Sequence, residues 1–327
     1  MPENPAAVLP AHETAADGDP TMTGPRRLPL GHPEQLAGLR RVPQVEVLPD
    51  GALHPGDWEL GPWVQDLDGR PTGAAATVAV DNLTAVTLHW AAREQIRSVV
   101  TTQLQVNVLR PLPAFDPEDP ADRPRLRMRG VPLMHDALGG VARGRLVGDD
   151  GTVYVEATGW FQSVPDRSAD GAETFVATAA LPLEDEERAS MAALTAVVPE
   201  SVPVPRPGER PVVQQTAAPS LRFRPEPRLD NAGAMTHGGI QTMRAVLAAQ
   251  AALPDRQDYE VQAVEVAFTR PGLGEQVALT RVRHAGRSLR IVEVDLVGLD
   301  VATGEPQVGR PSIQAQISFR AADRPRG

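Results

Sequence analysis

Residues 66–92 read DLDGRPTGAAATVAVDNLTAVTLHWAA, and residues 231–253 read NAGAMTHGGIQTMRAVLAAQAAL. Each opens with a turn of Asp or Asn with Gly and runs into an apolar stretch long enough for a helix. Neither stretch has the polar face of a surface helix, so the predicted helices, 73–92 and 238–253, are expected to be buried all round. Alternating, β-branched segments follow each one. They lie at 99–109, 126–133, 140–147 and 153–163 after the first helix, and at 259–269, 276–283, 288–297 and 312–319 after the second. One helix followed by four or five antiparallel strands is an α+β unit, with the sheet wrapped around the helix.

The two stretches are copies. Asp66 and Asn231 are 165 residues apart, as are Gly73 and Gly238. Arg110-Pro111 and Arg270-Pro271 are 160 apart, and Phe161 and Phe319 are 158 apart. The slow drift fits short loop deletions in the second copy, and duplicated units of this size pack on each other. The chain therefore divides into four parts. Residues 1–40, rich in Pro, Gly and charge, are predicted as a disordered tail. Residues 41–170 form the first unit and 214–327 the second. Residues 171–213 connect them, through a predicted helix over 183–197 with acids in its first turn and then an extended run with prolines at 199, 203, 205, 207 and 211.

Composition narrows the chemistry. Hydrophobic residues make up 41% of 327, enough for a sizeable core. A net charge of −10 argues against a nucleic-acid partner. All 32 cations are arginine, which excludes lysine Schiff-base or general-base chemistry. The Arg, Ala and Pro bias points to a GC-rich bacterial genome. The absence of cysteine excludes disulfides, thiolate nucleophiles and cysteine metal sites. The first twenty residues lack the basic start and apolar core of a signal peptide. No apolar run reaches the length of a membrane span, so the expectation is no membrane association and a cytoplasmic protein. His89, His135 and His284 follow no ligand spacing; no metal and no cofactor is expected.

Two places could carry chemistry. Gly238 and Gly239 begin a helix, where free N–H groups and the positive end of the dipole suit an oxyanion. The bland alternative is that the glycines let the helix start against the sheet. Asp81 sits mid-helix among apolar residues. A buried carboxylate is expensive, tends toward a raised pKa, and marks a functional candidate. Its bland alternative is a hydrogen-bonded place in a polar seam between the halves.

Asn231, five intervening residues, then His237-Gly238-Gly239 before an apolar helix resembles the phenylacetate-pathway-type thioesterases of the hotdog superfamily. The resemblance covers about 42–165 and 214–322. It implies two hotdog domains in tandem, packed as a pseudo-dimer, and hydrolysis of an acyl-CoA or acyl-carrier-protein thioester. In that family the glycine after the histidine supplies the oxyanion N–H, here Gly238. A carboxylate eight residues after that glycine serves the partner unit. In this chain the corresponding positions are Asp81 and Val246, so the first copy keeps the carboxylate and the second keeps His-Gly-Gly. Together they imply one composite site. The resemblance further implies that Thr101, ten residues before Pro111, holds water; its counterpart is Val261. It implies that Asn231 orients water or thioester, against the bland alternative of a turn asparagine before a helix, and it places His237 and Gly239 at the substrate, His237 more as a helix-entry residue than as a base. Asp81 would act as general base, or as nucleophile through an anhydride. Arginine would have to bind any phosphates. Chains of this kind can assemble into homo-oligomers.

The first copy departs from the pattern, with Asp66, Thr72 and Ala74 in place of Asn, His and the second Gly. A non-catalytic acyl-binding or scaffold protein is the alternative, which the complementary halves argue against. A hotdog dehydratase or hydratase needs Asp-x4-His; Asp81 and His89 are eight apart, and Asp230 and His237 seven. The acyl-CoA thioesterase II family carries its Asp in the second copy and fits less well.

Overall fold

The computed structural model describes residues 32–164, 191–198 and 211–322, apart from 97, 117, 118, 120, 122 and 232–234. Both expected long helices are present. The first enters as a short 3-10 turn, Gly73–Ala76, with the Thr72 hydroxyl accepting from the Ala74 N–H (3.3 Å). The second begins at Gly238, capped by His237 Nδ1, which accepts from the Gly239 N–H (3.1 Å). Ahead of them, a short helix α1 (His32–Leu36) opens the described chain. Then come α2 (Thr77–Ala92), α3 (Met191–Leu194) and α4 (Gly238–Ala251).

Helix α2 is built from poor helix formers: Thr77, Val78, Val80, Thr84, Val86 and Thr87 are β-branched. Burial overrides propensity here. Nearly the whole helix is inaccessible, and the hydroxyls of Thr84 and Thr87 bond back to the carbonyls of Val80 and Leu83 (2.7 Å each).

Eleven strands form one antiparallel sheet. They are β1 (Leu39–Val47), β2 (Leu53–Glu59), β3 (Val99–Val108), β4 (Arg125–Asp136), β5 (Gly139–Val147) and β6 (Val153–Ser163). In the second half they are β7 (Ala218–Phe223), β8 (Tyr259–Phe268), β9 (Gln276–Ala285), β10 (Leu289–Leu299) and β11 (Pro306–Ala321). The order is β1-β2-β4-β5-β6-β3-β8-β11-β10-β9-β7. The eight strands expected from alternation are all there; β1, β2 and β7 are additional. Outward from the β3–β8 seam, the two sides run through corresponding strands in the same order, and β1 extends the first side. Helix α2 lies on β3 to β6, helix α4 on β7 to β11, and the helices touch each other.

At the seam Gln105 faces Glu265, flanked by Leu104 with Val266 and Val106 with Val264. Gln105 and Glu265 are 160 residues apart, the same offset as the two Arg-Pro pairs. In an antiparallel pair of equivalent strands, equivalent residues meet only at the centre. Farther along β3 an extra residue at Thr102 makes a bulge against Phe161 and Trp160. β8 carries its bulge at Gln262 against Ser318 and Phe319, again 160 residues on.

One expectation needs correction. The boundary of the disordered tail at residue 40 is too late, because α1 starts at His32 and β1 at Leu39. Leu36, Ala37 and Leu39 are buried in the main core, and a segment that buries this much apolar surface is held in place. The signal was short: five helical residues inside a stretch dominated by Pro, Gly and charge. Residues 1–31 lie outside the described residues, as do 183–190 of the expected connector helix and the prolines at 199, 203, 205 and 207. No helix among the described residues is long and apolar enough to cross a membrane.

Candidate active site

Helices α2 and α4 approach closely where α4 begins. Thr77 donates its hydroxyl to the Gly239 carbonyl (3.1 Å), and a Cβ built on Gly239 would collide with Val78 Cα. Only glycine lets the two backbones come this close. One turn further along α2, Asp81 points at the start of α4. Its Oδ2 accepts the Gly239 N–H (3.0 Å), and its Oδ1 accepts the Thr101 hydroxyl (2.9 Å). Gly238 lies directly against it: a Cβ there would be 2.8 Å from Asp81 Oδ2 and 3.3 Å from Phe268. Among the described residues, no protein acceptor takes the Gly238 N–H.

Thr101 reaches Asp81 because of the bulge in β3. Leu104, Val106 and Val108 face the core in strict alternation, which would put residue 102 inward. The extra residue shifts the phase so that Thr101 turns to Asp81, while the Thr102 hydroxyl bonds the Trp160 carbonyl (3.1 Å).

The imidazole of His237 spans two carboxylates. Its Nδ1 is 3.7 Å from Asp81 Oδ2, and its Nε2 is 3.4 Å from Oε1 of Glu34 on α1. Glu34 Oε1 also accepts from Asn82 Nδ2 (2.9 Å), and Asn82 Oδ1 accepts from Arg41 on β1 (2.8 Å). Glu34, Asn82 and Arg41 complete the cluster and were not singled out in the sequence. Asn82 adjoins Asp81, but only the fold places α1 and β1 beside it.

The electrostatics follow from burial and neighbours. Burial pushes the Asp81 carboxyl up; the pull of His237, the Thr101 hydroxyl and the Gly239 N–H does not cancel it, and Glu34 adds to the rise. Burial alone would lower His237, but the charge and hydrogen bond of Glu34, with Asp81, carry it up to about 8. Burial would raise Glu34, yet His237 and Arg41 bring it down to about 2. The two roles of Nδ1 exclude each other. As acceptor of the Gly239 N–H it belongs to a neutral ring with its proton on Nε2, toward Glu34; as a cation it turns an N–H to Asp81. The 3.1 Å contact to the Gly239 nitrogen, shorter than the 3.7 Å to Asp81, is the geometry of the neutral tautomer. The raised affinity for a second proton reflects two carboxylates at its edges.

Asn231 has a different place. Its N–H donates to the Met235 carbonyl (2.7 Å), its Oδ1 accepts from the Met235 N–H (3.4 Å), and it is exposed. Asp66 does the same four residues before Arg70, through its N–H (2.9 Å) and Oδ1 (3.0 Å). The pair at offset 165 thus closes equivalent turns. The counterpart of the Asp81 cluster is apolar. Val246 and Val261 are buried in the core, and a Cβ on Gly73 would lie 2.5 Å from Val108. No metal-binding group of His, Asp and Glu stands among the described residues; His237 separates Glu34 from Asp81 rather than converging with them. A groove of about 440 Å³ from β3 across β8, β11 and β10 to β9, lined by residues such as Gln103, Glu265 and Gln316, contains none of these side chains.

By sequence, no protein-family model and no curated protein matches the chain. Solved structures do. A hotdog-fold protein of unknown function from Alicyclobacillus acidocaldarius superposes with a TM-score of 0.51 at 13% identity, over 90% of this chain and 100% of that one. The chain has the hotdog fold. A tesB protein from Mycobacterium avium subsp. paratuberculosis superposes with a TM-score of 0.51 at 13% identity, over 89% of this chain and 98% of that one. An acyl-CoA thioesterase II, TesB2, from Mycobacterium marinum superposes at 0.49, 15% identity, over 90% and 98%. Within this fold α2 and α4 are the long helices packed against the sheet, and Asp81 and Gly239 lie where they meet.

Proposed function

We propose that this chain hydrolyses acyl thioesters, of coenzyme A or of an acyl carrier, at one composite site where two tandem hotdog units meet as a pseudo-dimer. The observation that carries this reading is the bond between Asp81 of the first half and the N-terminal N–H of α4 in the second. It joins the carboxylate kept by the first half to the His-Gly-Gly segment kept by the second. The mirror order of strands about the Gln105–Glu265 pair supports the pseudo-twofold.

The chemistry follows from position. A thioester carbonyl entering beside Gly238 would find the Gly238 N–H, at the positive end of α4, for its developing oxyanion. Asp81, with its raised proton affinity, takes a proton from water as the water oxygen bonds to the carbonyl carbon. Collapse of the tetrahedral adduct breaks the C–S bond, and Asp81 returns the proton to the departing thiolate. Thr101, already bonded to Asp81 Oδ1, fixes the orientation of the carboxylate and offers its oxygen to the water. Asn231 enters this scheme only through the loop it closes ahead of His237.

The test is a hydrolysis screen over short, medium, long and aryl acyl-CoAs and a carrier-protein thioester, read by free thiol. The protein itself has no cysteine to raise the background. At least one class should turn over, and Asp81→Asn should lower kcat by about 10²–10⁴-fold. Absence of turnover on every class, or an undiminished Asp81→Asn enzyme, would sink the proposal.

A further inference from the structure

The N-terminal helix α1 contributes a charged residue to the site that no motif marks. Glu34 is buried, and so are Asp81 and Asn82 from α2 and His237 at the start of α4, with the half-buried Arg41 of β1 behind Asn82. Its Oε1 takes the Asn82 amide (2.9 Å) and faces His237 Nε2 (3.4 Å). Its Oε2 is buried with no hydrogen-bond partner among the described residues. A carboxylate kept out of water with one oxygen unbonded is costly to the fold. A buried amide in its place would make the same bonds without the charge, so the charge itself needs a reason.

We infer that Glu34 is a positioning residue of the proposed thioesterase site, acting through His237. By accepting the Nε2–H it selects the ring tautomer whose Nδ1 holds the Gly239 N–H, and so ties the start of α4 to Asp81. This inference rests on the hydrolase reading for its purpose, but not for its measurement. The groups facing the imidazole are Glu34 from α1 and Asp81 from α2, with the Gly239 N–H beyond Nδ1. Arg41 and Asn82 face Glu34. With Glu34 neutralised, burial of the ring would no longer be opposed by its main counter-charge.

The same coupling sets a stability window. Glu34 is held at about 2 against an ordinary 4.5, so its contribution is present above pH 4.5 and is lost as pH falls through 2. His237 is raised to about 8 from 6.5, so its contribution is complete below pH 6.5 and is lost as pH rises through 8. The pair therefore stabilises most between pH 4.5 and 6.5.

The experiment is nitrogen NMR of the His237 ring in the full chain, assigned by its loss in His237→Asn, with Glu34→Gln as the test variant. In the native protein the neutral ring should carry its proton on Nε2 and titrate near 8. In Glu34→Gln the midpoint should fall, and kcat above pH 8, where the native ring is neutral, should drop about tenfold with KM unchanged. Urea unfolding should show the largest gap between native and variant inside the pH window above. Should Glu34→Gln not fold, Glu34→Asp, which keeps the charge but withdraws it, should give a smaller shift of the same sign. A His237 midpoint that does not move with either variant overturns the inference. A wild-type protein inactive on all thioesters overturns the hydrolase reading instead, and the ring titration still decides this one.

Discussion

Three glycines divide the site by what a methyl group would strike. A Cβ on Gly238 meets the Asp81 carboxylate and Phe268, both side chains that can yield. Gly238→Ala should therefore fold with a Tm close to native while kcat/KM falls about 10²–10³-fold, because the carboxylate is pushed from its place beside the N–H. On Gly239 the obstruction is the Val78 backbone, which cannot yield without separating α2 from α4. Gly239→Ala should cost about 3 kcal/mol of stability, read by urea unfolding, before any effect on chemistry is measurable. Gly73→Ala strikes the Val108 side chain and should cost about 1–3 kcal/mol with turnover unchanged. A Gly238→Ala enzyme with full activity would show that this approach is not used. Adjacent glycines in the sequence read as one oxyanion-site motif. The structure separates them, since the Gly239 N–H is already committed to Asp81 and His237.

The elements were legible to different depths. α2 and α4 could be read because they are apolar all round, and the strands because they alternate. Asp81 stood out as the one charge within an apolar helix. The bulge at Thr102 was not legible: alternation along β3 predicts the opposite face for Thr101, and only the family spacing pointed to it. α1 was missed because five residues cannot establish a helical period. The same element logic supports the proposal of one site per chain. Val246 occupies the helix position of Asp81, is fully buried, and has no group that could accept a proton. Val246→Ala should cost about 2 kcal/mol in stability through the cavity it leaves, and should leave kcat intact. A non-hydrolysable acyl-CoA analogue should titrate at one tight site per chain. Two equivalent sites, or a Val246→Ala enzyme as impaired as Asp81→Asn, would mean the halves have been paired wrongly.

At the level of the molecule, a continuous sheet joins the halves, with β3 and β8 hydrogen-bonded at its middle. Further bridges cross between them. Arg256 pairs with Asp68 through two bonds (2.8 and 2.9 Å), and Arg70 donates to the Gln257 carbonyl. Residues 1–200 and 205–327 expressed separately should be insoluble or inactive, since each would expose a central strand and retain half a site. Full turnover from either fragment would refute the composite arrangement. The duplication behind this design was visible in the drifting offsets; the axis through Gln105 and Glu265 was not, because strand pairing is a property of three dimensions.

That seam also sets a problem of timing. β3 and β8 are 160 residues apart in the chain, so at ordinary translation speeds β3 leaves the ribosome about 10–30 s before its partner exists. Through that interval the nascent chain carries β3 with only its β6 edge able to pair, the other edge open as a template for intermolecular pairing. Slowing elongation after residue 164 should increase aggregation, even though every codon still specifies the same chain.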